Sequence, residues 1–158
     1  VAITIDIYID DYSIDKSSLK FSIPNGLEPI TGSFNAFTSS YPYNHKGGTL
    51  YYGSMEIPIV TTQINAVRVK NGYQLSCNFQ EAIGDILMQE VNITVSGNIS
   101  NVMDTISQYL VGFEYVLFVN NTNSSIPSSE PVTLSGQLSQ VLNQICQMFG
   151  FSIRRWYL

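Results

Sequence analysis

Val1, Ile3, Ile5, Ile7 and Ile9 alternate with Ala2, Thr4, Asp6, Tyr8 and Asp10, the period-two pattern of a strand with one buried face. Asp10-Asp11-Tyr12-Ser13 predicts a turn, 19–23 a second strand, and Pro24-Asn25-Gly26 a stop. Pro29 and Gly32 bracket a further corner ahead of a strand over 33–38. Residues 39–48, SSYPYNHKGG, have the composition of a loop, and 49–59 predicts a strand with Gly53 as a bulge or close approach and Pro58 near an edge or end. The strongest local signal spans 67–79, where two alternating runs flank Asn71-Gly72, a dipeptide favoured in type I′ hairpin turns. Val67, Val69, Tyr73, Leu75, Cys77 and Phe79 are expected to share its core face.

Beyond 81–89, which fits a short helix or a turn-containing crossover, the period changes. Thr133-Leu-Ser-Gly opens as a strand, and Leu138, Val141, Leu142, Ile145, Met148 and Phe149 then form one apolar stripe at helical spacing. Gly150 sits where helices stop in left-handed geometry, and 151–158 reads as an exit strand. The unit is β-α-β. Shifting the sequence so that Thr94 falls on Thr133 makes Thr, Ser, Gly, Ser, Val, Ile and Gln coincide across fifteen positions, with 112–120 as the earlier exit strand and 121–130 as the joining loop. Self-similarity at a fixed shift signals a repeated supersecondary unit. The alternative, two ordinary amphipathic helices sharing Ser, Asn and Gln by composition, predicts no equivalence between helices or flanking strands.

The expected fold is therefore α+β. Residues 1–90 form an antiparallel β-barrel or sandwich, and 91–158 form an α+β domain with two similar β-α-β units.

Composition changes this picture in one respect. Charged residues are 12% of the chain against about a quarter in ordinary domains, and Ser, Thr, Asn, Gln and Tyr take the polar positions. Such a surface suits burial in an assembly. The net charge of −5 argues against sequence-specific or broad nucleic-acid binding, which needs clustered cations to displace phosphate counterions. No apolar run reaches the ~20 residues that span a bilayer, so no membrane insertion is expected.

Chemistry is sparse. One His and no HExxH, GxSxG, P-loop or CxxC pattern leave no catalytic, metal or cofactor site, and no enzymatic activity is expected. Asp10-Asp11 beside Asp6 and Asp15 lacks the Gly and terminal Glu of a calcium loop and reads as a solvated acidic turn. Cys77 and Cys146 sit in apolar-patterned segments and are expected as buried free thiols, a disulfide remaining open in an oxidising compartment. Asn-x-Ser/Thr triplets arise by chance in a chain this rich in those residues.

Gly32-Ser-Phe-Asn-Ala, Thr49-Leu-Tyr-Tyr-Gly53-Ser-Met-Glu and Asn71-Gly-Tyr-Gln-Leu-Ser-Cys77, followed by the Ser-Gly-x-Leu-Ser-x-Val-Leu-x-x-Ile pattern, resemble bacteriophage tail-hub and baseplate-hub proteins. That resemblance implies a barrel followed by an α+β insert, in a structural subunit of a virion tail tip whose ring connects tail tube and tip and contacts other tail or baseplate proteins. Residues 132–158 alone are similar to the small periplasmic β-α-β modules of secretins and TonB-dependent receptors. This implies the alternative of a secretin-like channel domain in the bacterial periplasm. A third class, a pilus or adhesin sandwich at the cell surface, would account for the uncharged surface but not for the helices. In these assemblies the expected contact residues are Tyr41, Tyr43 and His45 in the 39–48 loop, and Trp156 and Tyr157 near the C-terminal end. Solvation of that loop and core burial of Trp156 are the competing expectations.

Overall fold

The computed structural model describes residues 2–24, 26–110 and 124–151. Contacts divide them into two compact units, one of 2–24 with Pro29–Gly84 and one of Gly26–Glu28 with the described residues from Asp85 onward.

In the first unit six strands, β1 (Ile5–Tyr8), β2 (Ser13–Ser22), β3 (Thr31–Thr38), β4 (Gly47–Tyr52), β5 (Met55–Val69) and β6 (Gly72–Glu81), form one antiparallel sheet in the order β1-β4-β5-β6-β3-β2. The sheet curls into a nearly closed barrel. β1 and β2 meet at a seam with no ladder, held by the turn bond Tyr12 N to Ile9 O at 3.2 Å and by Lys16 Nζ, which donates to Ile7 O and to the Asp6 carboxylate. Inside, Phe34 and Phe79 pack with ring centroids 5.9 Å apart among buried Ile7, Ile9, Leu50 and Ile57. Each such side chain contributes roughly 1.5–3 kcal/mol by leaving water.

Several local expectations change. Residues 49–59 are not one strand, because Gly53 at φ 60° opens a turn with Ser54 between β4 and β5. Pro58 lies within β5, and its carbonyl accepts from Ala82 N just past the end of β6, so its missing N–H costs the ladder nothing there. Gly32 is no corner. It pairs with Phe21 inside β3, where a Cβ would overlap the Lys20 carbonyl and the Phe79 ring. Ile3 and Ile5 remain about half exposed, at 53% and 47%, while Ile7 and Ile9 are fully buried.

The β5–β6 hairpin forms, but it turns at Lys70-Asn71 with Val69 opposite Gly72. Of the two central residues Asn71 takes a positive φ (70°) and Lys70 does not, so the turn is not type I′. Gly72 is needed for a different reason: a Cβ would overlap the Thr38 carbonyl and the Phe37 ring. A two-residue loop also pairs odd positions with even ones, so Val67 and Val69 lie opposite Gln74 and Gly72 on the outer face. Val67 is 66% exposed, whereas Leu75, Cys77 and Phe79 are buried. A register shift between Thr61 and Gln63 sets this phase, turning Ile57, Ile59 and Thr61 inward before it and Ile64 inward after it.

The second unit follows the one-turn helix α1 (Gly84–Leu87) with β7 (Glu90–Val95), α2 (Ile99–Ser107), β8 (Val132–Gln137) and α3 (Leu138–Phe149). β7 and β8 pair antiparallel with Thr94 opposite Thr133, and their hydroxyls lie 3.0 Å apart. Val91, Ile93, Val95 and Leu134 make the buried face, and each helix packs on the strand before it.

Under the shift that lays Thr94 on Thr133, buried Ile99, Val102, Met103 and Ile106 of α2 fall on buried Leu138, Val141, Leu142 and Ile145 of α3. The glycine before each helix has positive φ, 91° at Gly97 and 129° at Gly136. Asn98 and Asn101 cap α2 reciprocally, and Gln140 Oε1 accepts from Gln137 N at the start of α3. Gly150, at φ 76°, ends α3 in left-handed geometry. The expected strand 112–120, and 152–158 of the expected exit strand, lie outside the described residues.

Candidate functional site

The loop between β3 and β4 is held at both ends by buried threonines. Ser40 N donates to Thr38 Oγ1 at 3.3 Å, Lys46 N donates to Thr61 Oγ1 at 2.7 Å, and Thr61 N donates to Lys46 O at 2.9 Å. Both threonines are in the barrel wall, so the loop leaves and re-enters a rigid frame.

Between these anchors Tyr41 and Tyr43 project into solvent, 66% and 72% exposed, with ring centroids 5.4 Å apart in edge-on contact. Tyr41 also meets Tyr73 of β6 edge-on at 5.9 Å, and the Arg68 guanidinium lies over the Tyr73 ring at 5.8 Å. Edge-on pairs of this kind contribute about 0.5–1.5 kcal/mol beyond burial, enough to hold the tyrosines in place without covering them. Fixed, exposed aromatics beside an arginine have the composition of an association hot spot.

His45 is exposed on the same loop at φ 62°, and no ring contact joins it to the tyrosines. Trp156 and Tyr157 lie outside the described residues. Arg68 was not singled out from the sequence and Tyr73 only as a core-face residue, which packs against the barrel core as expected; the two face each other across the hairpin once its loop is placed at 70–71.

The acidic side chains around the β1–β2 turn are occupied locally. Lys16 bonds Asp6 and holds its carboxyl below the usual range, with the Ile7 amide helping. Asp15 Oδ1 accepts from Ser17 N and Oγ, and Tyr8 OH donates to Asp10, whose charge raises the phenol's pKa. Among the described residues no group of three His, Cys, Asp or Glu side chains converges on a metal-sized site, and no helix is long and apolar enough to cross a membrane.

Cys77 and Cys146 are free thiols. Burial lifts Cys77 to about 11, and raises Cys146 as well. The Tyr12 hydroxyl is buried without a hydrogen-bond partner among the described residues; burial, then Cys77, raises its pKa. The fully buried Glu81 is structural, its Oε1 accepting from Ile30 N at 3.1 Å while its own N donates to Ile30 O at 2.8 Å.

Two shallow depressions lie among the described residues. One, of about 630 Å³, crosses the outer faces of β2, β3, β6 and β5; the other, of about 550 Å³, lies in the second unit between Thr94, Asn101, Asp104 and Ser125–Ser128. Compared with known proteins, the chain matches no family model and no curated sequence.

Proposed function

We propose that the protein is a structural subunit of a bacteriophage tail tip or baseplate hub, assembling into a ring with other tail proteins and working without enzymatic chemistry. The observation that carries this reading is the fixed tyrosine loop, in which Tyr41 and Tyr43 stay largely exposed although Thr38, Thr61 and Tyr73 hold them in place. Rigid aromatics lose little conformational freedom on contact, so their exposure favours association. Half-exposed Ile3 and Ile5 beside the ladder-free seam, and a chain with few charges, add to it. A closed ring covers each subunit's sticky surface with its neighbour and ends growth. Trp156 and Tyr157 belong to the same proposed contact set.

Mass photometry of wild type and the Tyr41→Ala/Tyr43→Ala double variant tests the reading. A closed ring that the variant weakens supports it. A wild-type chain that stays monomeric at high concentration, alone and with tail proteins, removes it.

The second unit enters this proposal as a duplicated β-α-β module. Support comes from the matched stripes, the matched positive-φ glycines and the pairing of Thr94 with Thr133, which relates the two strand copies by a local two-fold. The same repetition favours a second reading, a periplasmic β-α module of a secretin-like or pilus assembly. Cross-linking separates the two: subunit contacts through 39–46 fit the hub, and contacts confined to 90–149 fit the periplasmic module.

A further inference from the structure

The outer face of the barrel carries an ordered polar lattice that the assembly reading leaves unused. Strand register places Asp15, Asn35, Ser76 and Asn65 in one row across β2, β3, β6 and β5, and Ser13, Phe37, Gln74 and Val67 in the next. Their neighbours Phe34, Ala36, Leu75 and Cys77 are buried on the opposite face, so the rows point outward. Together they line the depression of about 630 Å³. One rim is braced where β2 leaves the ladder after Asp15: Ser18 Oγ donates to Asp15 O and accepts from Asn35 N, at 2.6 and 2.7 Å.

We infer that this groove is a binding site for a neutral oligosaccharide. Asn35, Asn65, Gln74 and Ser76 each offer both a donor and an acceptor, the requirement for engaging sugar hydroxyls, which also act both ways. None of these four side chains is hydrogen-bonded to another described residue, so all are open to a ligand. Half-buried Phe37 and exposed Val67 supply an apolar floor for the C–H face of a sugar ring.

Other ligand classes fit less well. Among the described residues no Lys or Arg lines the groove for phosphate, and Asp15 repels anions. Strand addition is closed off over the middle of the groove, because the backbones of β3 and β6 are paired on both sides, and the open edge of β2 faces the seam with β1 rather than the groove. Side chains about 4.8 Å apart from strand to strand within a row, with the rows themselves about 6.8 Å apart, give a periodic array of hydrogen-bonding groups, suited to a chain of repeating rings.

A glycan array covering neutral hexose, pentose and N-acetylhexosamine oligomers tests the inference on the full chain, with ligand-observed NMR on the hits and polygalacturonate and a single-stranded oligonucleotide as charged controls. The expected result is saturable binding of at least one neutral oligomer, with a Kd on the order of 1 mM. Asn35→Ala and Asn65→Ala should each weaken it about tenfold, the loss of one to two hydrogen bonds. Gln74→Glu, an exposed change that spares the core, should also weaken it while the circular dichroism spectrum stays unchanged. No neutral binder, binding of the charged controls alone, or equal affinity in all three variants would overturn the assignment. Ring formation is read separately, so loss of one reading leaves the other standing.

Discussion

The barrel and the strand–helix unit hide their apolar residues to different degrees. In the barrel Ile3, Ile5, Tyr8, Tyr41, Tyr43 and Val67 are exposed, whereas in the described part of the second unit only Met88 and Met148 are. The cause is geometric. A helix laid on a two-stranded sheet covers its inner face with a stripe that can be as wide as needed, so α2 and α3 close over Val91, Ile93, Val95 and Leu134. A barrel must fill its own interior, and side chains beyond its ends or outside its wall have nothing of its own to cover them. Among the described residues, the barrel is thus the unit that leaves more large apolar side chains in water.

The sharpest way to break this comparison is to open each core separately. Phe79→Ala should cost the barrel about 3–5 kcal/mol, and Leu142→Ala should cost the second unit about 2–5 kcal/mol. Hydrogen exchange on each variant checks whether protection falls in the mutated unit first; uniform loss of protection would make the two-unit description wrong in energetic terms. Thiol chemistry probes the same division. With its pKa at about 11 against an ordinary 9.0, Cys77 should carry roughly a hundredfold less thiolate at neutral pH than an unperturbed cysteine. A maleimide should therefore label Cys146, which is only half-buried, before Cys77. Faster labelling of Cys77 would mean that the barrel opens more readily than its packing implies.

These two units were also unequally legible. The stripe of α3 could be read residue by residue, because helical period survives as long as the helix does, and Met148 alone of the expected set proved exposed. In the barrel, strand period was readable only between interruptions. The shift at Thr61/Gln63 resets which residues of β5 face inward, and alternation alone carries no trace of it. Asn71-Gly72 marked the hairpin, yet tertiary contact claims Gly72 and moves the turn back to Lys70-Asn71. Of the candidate site, Tyr41 and Tyr43 were legible as exposed aromatics in a loop. Their link to Tyr73 and Arg68 was not, since it enters through strand register.

Smaller perturbations sharpen the picture. Gly32→Ala, forced against the Lys20 carbonyl and the Phe79 ring, should lower the barrel's stability by about 1–3 kcal/mol in a urea titration. Val67→Thr should change it by less than about 0.5 kcal/mol, because the outer face already wets this side chain; a core-sized loss would restore the inward assignment. The least effect belongs to the seam. Asp6 has a depressed pKa, so the stability it lends is present above its ordinary 3.8 and disappears as pH falls through the lower folded value. Lys16→Ala should shrink that acid-side dependence in an otherwise identical pH titration, the Ile7 amide keeping the remainder, and salt should blunt it in wild type.

The strand order has a consequence for how the chain is made. β1 is synthesised before the other five strands of its sheet, yet its ladder partner β4 lies about 40 residues later. At a synthesis rate of roughly 5–20 residues per second, Ile3, Ile5, Ile7 and Ile9 wait on the order of 2–8 s with no strand to pair with. β5 and β6, joined by two residues, can form at once and offer the surface on which β3 and β4 assemble. During that interval the isoleucine-rich segment is the part of the nascent barrel most exposed to chaperones and to neighbouring chains.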